Sequence, residues 1–113
     1  MSKVIIKRVG KEPEVVEYDG KFDDIYKLIN LKQMQFVPFE LGECDLSVGL
    51  NPLHKTDGSM PNFFIYDRYD VVCGSVVIFK SKYDENKNDY ELIDLTNKDI
   101  KYIKDYMRRE EYV

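Results

Sequence analysis

The chain has 113 residues, 43% of them hydrophobic and 34% charged, with 21 acidic against 17 basic side chains for a net charge of −4. That length gives one domain, 1–113, able to bury a single core, and the composition excludes wholesale disorder, a collagen-like repeat and a disulfide scaffold. The acidic balance weighs against a domain that lives on phosphate contacts, so direct nucleic-acid binding is not expected.

The segments 4–9 and 15–18 are β-branched runs separated by Gly10, Lys11, Glu12 and Pro13, which predicts a hairpin. After Asp19 and Gly20, the residues Phe22, Ile25, Leu28 and Ile29 recur at helical spacing, with Asp23 and Asp24 in the first turn where negative charge suits the helix dipole. A short amphipathic helix over about 21–30 is expected. The segment 34–39 is a third strand, closed by Pro38 at a strand end or sheet edge. A fourth extended run covers 44–50.

The stretch 51–62 carries two prolines, a glycine and several polar turn formers, and a loop of that length in a small domain draws attention as a functional segment. A short strand over 63–66 follows. The run 71–80 is almost continuously apolar and reads as one deeply buried strand, with Gly74 marking a bulge or a close backbone approach. A polar hairpin loop (81–89) leads to a last strand (90–95). Thr96 and Asp99 then resemble a capping box with Asp in the acidic position, opening a terminal helix over about 97–109 whose Ile100, Ile103, Tyr106 and Met107 share a face. The predicted architecture is α+β: a single mostly antiparallel sheet of five or six strands with two helices packed on one face.

The candidate chemistry is sparse. His54 is the single histidine and lies in the long loop near Asp57, while Cys44 and Cys73 are far apart with no Cys-x-x-Cys spacing, so neither a zinc site nor a redox motif is spelled out. A Cys–His hydrolase would need Cys44 and His54 to converge; a buried Cys73 would be inert. The segment 84–95 begins like a calcium loop but has Asp89 where glycine is required and Leu95 where the bidentate glutamate belongs, which leaves a hydrophilic hairpin tip. No phosphate-binding glycine loop is present, and the terminal helix interleaves Lys101, Lys104, Arg108 and Arg109 with Asp99, Asp105, Glu110 and Glu111, the pattern of a solvated face. No cofactor and no metal ligand set is expected.

Two surfaces remain. Glu12, Glu14, Glu17, Asp19, Asp23 and Asp24 cluster in sequence and would present a negative face to a basic partner, although the same charges also protect a sheet edge from aggregation. Alternatively, Asn51, His54, Asp57, Asn62 and Tyr66 would anchor a small molecule or nucleotide between the central loop and the sheet. Tyr66, Tyr69, Tyr83 and Tyr90 near loops add candidate contact area.

The succession Lys3-Val-Ile-Ile-Lys, Lys11-Glu-Pro-Glu-Val-Val-Glu17, Met34-Gln-Phe-Val-Pro-Phe39, Asp70-Val-Val-Cys-Gly-Ser-Val-Val-Ile78 and Leu95-Thr-Asn-Lys-Asp-Ile100 resembles domain-of-unknown-function family 3846, small proteins of bacteriophages and mobile elements. The resemblance spans nearly the whole chain. In place of the family's Val-Gly-Gly turn this chain has Ile29-Asn30-Leu31, and the central loop differs most. The short apolar run after Lys3 is too brief for a signal-peptide core or a membrane span, so a cytoplasmic protein is expected. In the bacterial host that the resemblance implies, the expected role is non-catalytic binding of a host or phage protein, such as a nuclease, a basic nucleic-acid-binding protein or another defence protein. The resemblance carries over no catalytic residue.

Overall fold

The computed structural model describes residues 2–39, 46–66 and 68–112. Eight strands, a 3-10 helix and one α-helix follow in the order β1 (Ser2–Lys7), β2 (Glu14–Tyr18), the 3-10 helix (Phe22–Ile29), β3 (Gln35–Phe39), β4 (Leu46–Leu50), β5 (Pro61–Ile65), β6 (Asp70–Cys73), β7 (Val76–Asp84), β8 (Asp89–Ile93) and α1 (Asn97–Glu110). Six strands form one antiparallel sheet in the order β2-β1-β7-β4-β3, with β8 paired to the outer half of β7. The α+β class and the antiparallel sheet agree with the sequence reading.

The long strand β7 organises this sheet. Its first half pairs with β1 (Ile5↔Ile78) on one side and with β4 (Val48↔Ile78) on the other, and its second half continues as a hairpin with β8 (Lys80↔Ile93 to Asp84↔Asp89). Successive strand side chains point to opposite faces. Val76 and Ile78 therefore join Ile5, Val48, Ile103, Tyr106 and Met107 in one core, while Val77 and Phe79 join Val4, Ile6, Ile25 and Ile29 in another. The sheet is buried on both faces.

Two features differ from the sequence reading. The two helices lie on opposite faces of the sheet rather than on one: α1 and the β5–β6 hairpin cover the first core, and the 3-10 helix covers part of the second. The reason is visible in β1 and β7, whose near-continuous apolar runs supply two apolar faces, and a single layer covers only one. The run 71–80 is also broken in two. Gly74 adopts φ of 77°, in the left-handed region open to glycine, and there the chain leaves the two-stranded β5–β6 sheet to enter the main one. Its amide donates to the Met60 carbonyl at 2.9 Å.

The first helix winds as 3-10 rather than α. Lys21 stands at its N-cap with no side-chain acceptor to offer, and Asn30 ends it in the left-handed conformation with Leu31 N–H bonded to the Tyr26 carbonyl. By contrast, α1 carries the full capping box. The Thr96 side chain accepts from Asp99 N–H at 3.1 Å, and the Asp99 carboxylate accepts from Thr96 N–H at 2.9 Å. Asp99 is also buried and takes the Lys80 ammonium at 3.2 Å, which ties the start of α1 to β7.

A second polar tie joins the chain's ends. Lys7 is fully buried, and its ammonium donates to the Arg8 carbonyl (2.9 Å), the Asn62 carboxamide oxygen (2.9 Å) and Glu111 (3.2 Å). Three donors meet three acceptors, which is what makes a buried ammonium tolerable.

Candidate functional site

The central loop is not an open binding loop. Asn51 donates to the Asp57 carboxylate at 2.8 Å and accepts from Leu53 N–H at 2.9 Å, and Asp57 accepts from Ser59 N–H at 2.9 Å. Main-chain bonds from His54, Thr56 and Asp57 back to Asn51 and Leu53 complete a set of nested turns. The prolines, glycine and Asx residues that marked this stretch as irregular thus build a self-bonded turn.

His54 Nδ1 accepts from the Cys73 amide at 3.1 Å, which leaves the proton of the neutral ring on Nε2. Burial, helped by the Lys55 ammonium, holds its pKa below the usual histidine value against the opposing pull of Asp70 and Asp57. Asp70 is engaged by Lys55, the first cause of its lowered pKa, and also accepts from Val71 N–H at 2.9 Å. Asp57 is lowered chiefly by its hydrogen bond from Ser59. Burial pushes the Cys73 thiol up, with Asp57 and Asp70 adding to that and Lys55 opposing it. A histidine, a thiol and two carboxylates thus lie near one another, but each carboxylate and the imidazole Nδ1 are already bonded within the fold, and the thiol is held protonated. That is a hydrogen-bonded hinge between loop and hairpin, with no activated nucleophile.

Among the other sequence-predicted anchors, Tyr66 shares with His54 a cleft of about 140 Å³ that Gln35, Val37 and Asp70 also line. Asn51 and Asp57 sit together but outside that cleft. Asn62 is elsewhere: it is buried, receives Lys7, and donates to the Lys7 carbonyl at 3.0 Å and the Gly74 carbonyl at 2.8 Å. Its polar capacity is used in packing β5 against β1. Cys44 lies outside the described residues.

The acidic cluster is divided by the fold. Glu14 and Glu17 lie on opposite faces of edge strand β2, since Val16 and Tyr18 face the 3-10 helix and Glu17 stands opposite Lys3. Glu14 is paired with Arg8 at 3.1 Å and Asp24 with Lys27 at 3.4 Å, while Glu12, Asp19 and Asp23 are exposed.

An aromatic concave surface lies on the second face of the sheet, where the start of the 3-10 helix meets β3, β4, β7 and β8. Register places Phe36 opposite Gly49 and Ser47 opposite Phe79, so Phe36, Ser47, Phe79 and Ser81 share this face. With Phe22 from the helix start and Tyr90 from β8, they line a groove of about 330 Å³. Phe79 is its buried floor, packed edge-on to Phe22 (5.7 Å) and Phe36 (5.5 Å). Phe22 lies between Phe36 (5.3 Å) and Tyr90 (5.7 Å, 29° between planes). Phe36 and Tyr90 remain 44% and 52% exposed. Tyr83 packs edge-on against Tyr90 at 5.2 Å, extending the aromatic ledge.

Phe22 and Tyr90 also wall an adjoining cleft of about 440 Å³ whose charged lining is Lys21, Asp23, Lys87, Asp89 and Glu91. Three carboxylates face two ammonium groups there, and Lys87 is already paired with Glu91. Of the tyrosines singled out in the sequence, only Tyr83 and Tyr90 belong to this surface. Phe22 and Phe36 look in the sequence like core residues of a helix and a strand, and the fold leaves them partly uncovered.

Among the described residues no cluster of histidine, cysteine and carboxylates is arranged to hold a metal, and no helix is long and apolar enough to cross a membrane. No family model matches the chain, and neither a curated protein nor a solved structure matches it.

Proposed function

We propose that this chain is a non-catalytic interaction protein that engages its partner through the aromatic groove formed by Phe22, Phe36, Phe79 and Tyr90. The observation that carries the reading is the half-exposure of Phe36 and Tyr90 over a buried aromatic floor, with the Ser47 and Ser81 hydroxyls at hand. Aromatic side chains that are held rigidly yet left open are the residues that supply most binding energy at protein interfaces. The polar residues of the central loop serve the fold, so a partner gains less there.

A bacterial cell carrying a phage or mobile element is the setting that the family resemblance suggests, and blocking a host defence protein or nuclease is the role that fits an interaction protein in it. A nucleotide ligand fits less well, because its phosphates would meet an excess of carboxylates in the adjoining cleft. Titration with indole, followed by amide shifts in two-dimensional NMR, tests the site. Shifts centred on Phe36, Ser47, Ser81 and Tyr90, lost in Phe36→Ala and Tyr90→Ala, are the expected result. Shifts centred on residues 51–60 instead, or none at all, overturn it.

A further inference from the structure

We infer that the partner presents to this groove an aromatic side chain flanked by lysine or arginine. The inference rests on the groove being the binding surface and adds the charge of what occupies it. The partner ring takes the place beside Phe36 and Tyr90 above Phe79, where offset and edge-on aromatic packing is available. The neighbouring basic group then falls in the adjoining cleft, which shares Phe22 and Tyr90 with the groove and is lined by Asp23, Asp89 and Glu91.

The charges there decide the sign. Glu91 and Lys87 satisfy one another, which leaves Asp23 and Asp89 against Lys21, a net negative rim. An incoming cation is attracted by that net negative charge. An anion flanking the same ring meets repulsion. Exposed Asp19 precedes Gly20, which lines the same cleft, and adds negative charge, while Asp24 and Lys27 are paired and add none.

The chain contains no tryptophan, so an indole-bearing probe can be excited selectively. Three capped tripeptides with central tryptophan and flanking lysine, glutamine or glutamate are titrated by fluorescence anisotropy. The lysine peptide should bind about tenfold tighter than the glutamate peptide, with the glutamine peptide between them, and added salt should narrow the spread. The Asp89→Asn variant, which leaves Asp23 balanced by Lys21, should reduce the spread to about twofold, and the Asp23→Asn, Asp89→Asn double variant, which leaves Lys21 alone, should invert the order of the lysine and glutamate peptides.

If none of the three binds, the groove itself is not the interaction surface. If all three bind alike, the groove stands and the charge preference falls. A lysine-flanked peptide with alanine in place of tryptophan that displaces the lysine–tryptophan peptide at equal concentration removes the aromatic anchor from the inference. Free tryptamine binding as tightly as the peptide would make the occupant a small cation and overturn the assignment to a protein partner.

Discussion

The buried bracket of Lys7 and Asn62 gives the most demanding test of the packing argument. Asn62→Ala removes one acceptor from a fully buried ammonium and the donors to two carbonyls, those of Lys7 and Gly74. A hydrogen bond to a charged group contributes about 1.5–3 kcal/mol, and each neutral one about 0.5–1.5 kcal/mol, with orphaned buried groups adding to the loss. The total is about 3–5 kcal/mol, a large share of the ~5–15 kcal/mol by which such domains are stable. For 113 residues, 1 kcal/mol corresponds to about 4 °C in Tm, so the variant should melt roughly 12–20 °C lower.

Lys7→Met keeps the aliphatic stem and removes the charge, leaving Glu111 free to turn to water from its partly exposed position. It should cost less, about 1–2 kcal/mol. Placed in the Asn62→Ala background, Lys7→Met should be neutral or stabilising, because it eliminates the buried ammonium that the first substitution left one acceptor short. Urea denaturation of the four proteins in the cycle measures this. Additive losses, or an Asn62→Ala protein within 1 kcal/mol of the parent, would refute the claim that the bracket is a single satisfied network.

Because the imidazole of His54 has a lower pKa folded than the ordinary ~6.5 of the unfolded chain, the unfolded state takes up protons first as pH falls. Stability from this group is complete above about pH 6.5 and declines as pH drops through that value toward the folded pKa. His54→Gln should flatten that part of a Tm-against-pH profile, and an unchanged profile would contradict the assignment. Gly74→Ala forces a side chain into a left-handed conformation and sets its Cβ 3.1 Å from Ser59 Oγ, so a loss of about 1–3 kcal/mol in urea melts is expected. In a Cys44→Ser protein, the buried Cys73 thiol, with its raised pKa, should label slowly with a maleimide at pH 7 and rapidly after unfolding. Equal rates folded and unfolded would show that Cys73 is reactive.

What the sequence made legible follows the strength of local signals. The capping box at Thr96 and Asp99 and the β1–β2 hairpin across Gly10 and Pro13 are encoded by neighbours and were readable as such. The pairing of β1 with β7 joins residues far apart in the chain, and no periodicity announces it. The same distance hid the two-faced burial: Val76 to Phe79 looks like one buried run whether one layer or two cover it. Asn62 looked like a free polar anchor beside a loop because its three partners, Lys7, Gly74 and the Lys7 carbonyl, come from other elements.

The groove was hidden for the opposite reason. Phe22, Phe36 and Phe79 carry the periodicity of core residues, and they are core residues at their roots. What sets two of the groove's walls apart is a covering element that is too short. Phe22 sits at the first turn of an eight-residue 3-10 helix whose buried contacts, Ile25 and Ile29, lie over β1 and β7. From the helix start Phe22 reaches Phe36 on β3 at 5.3 Å and still leaves it half-exposed. At its far end Asn30 closes the helix in the left-handed conformation and sends the chain to β3. The groove is thus made less by a residue that breaks the rules of a core than by where the cover over core residues ends.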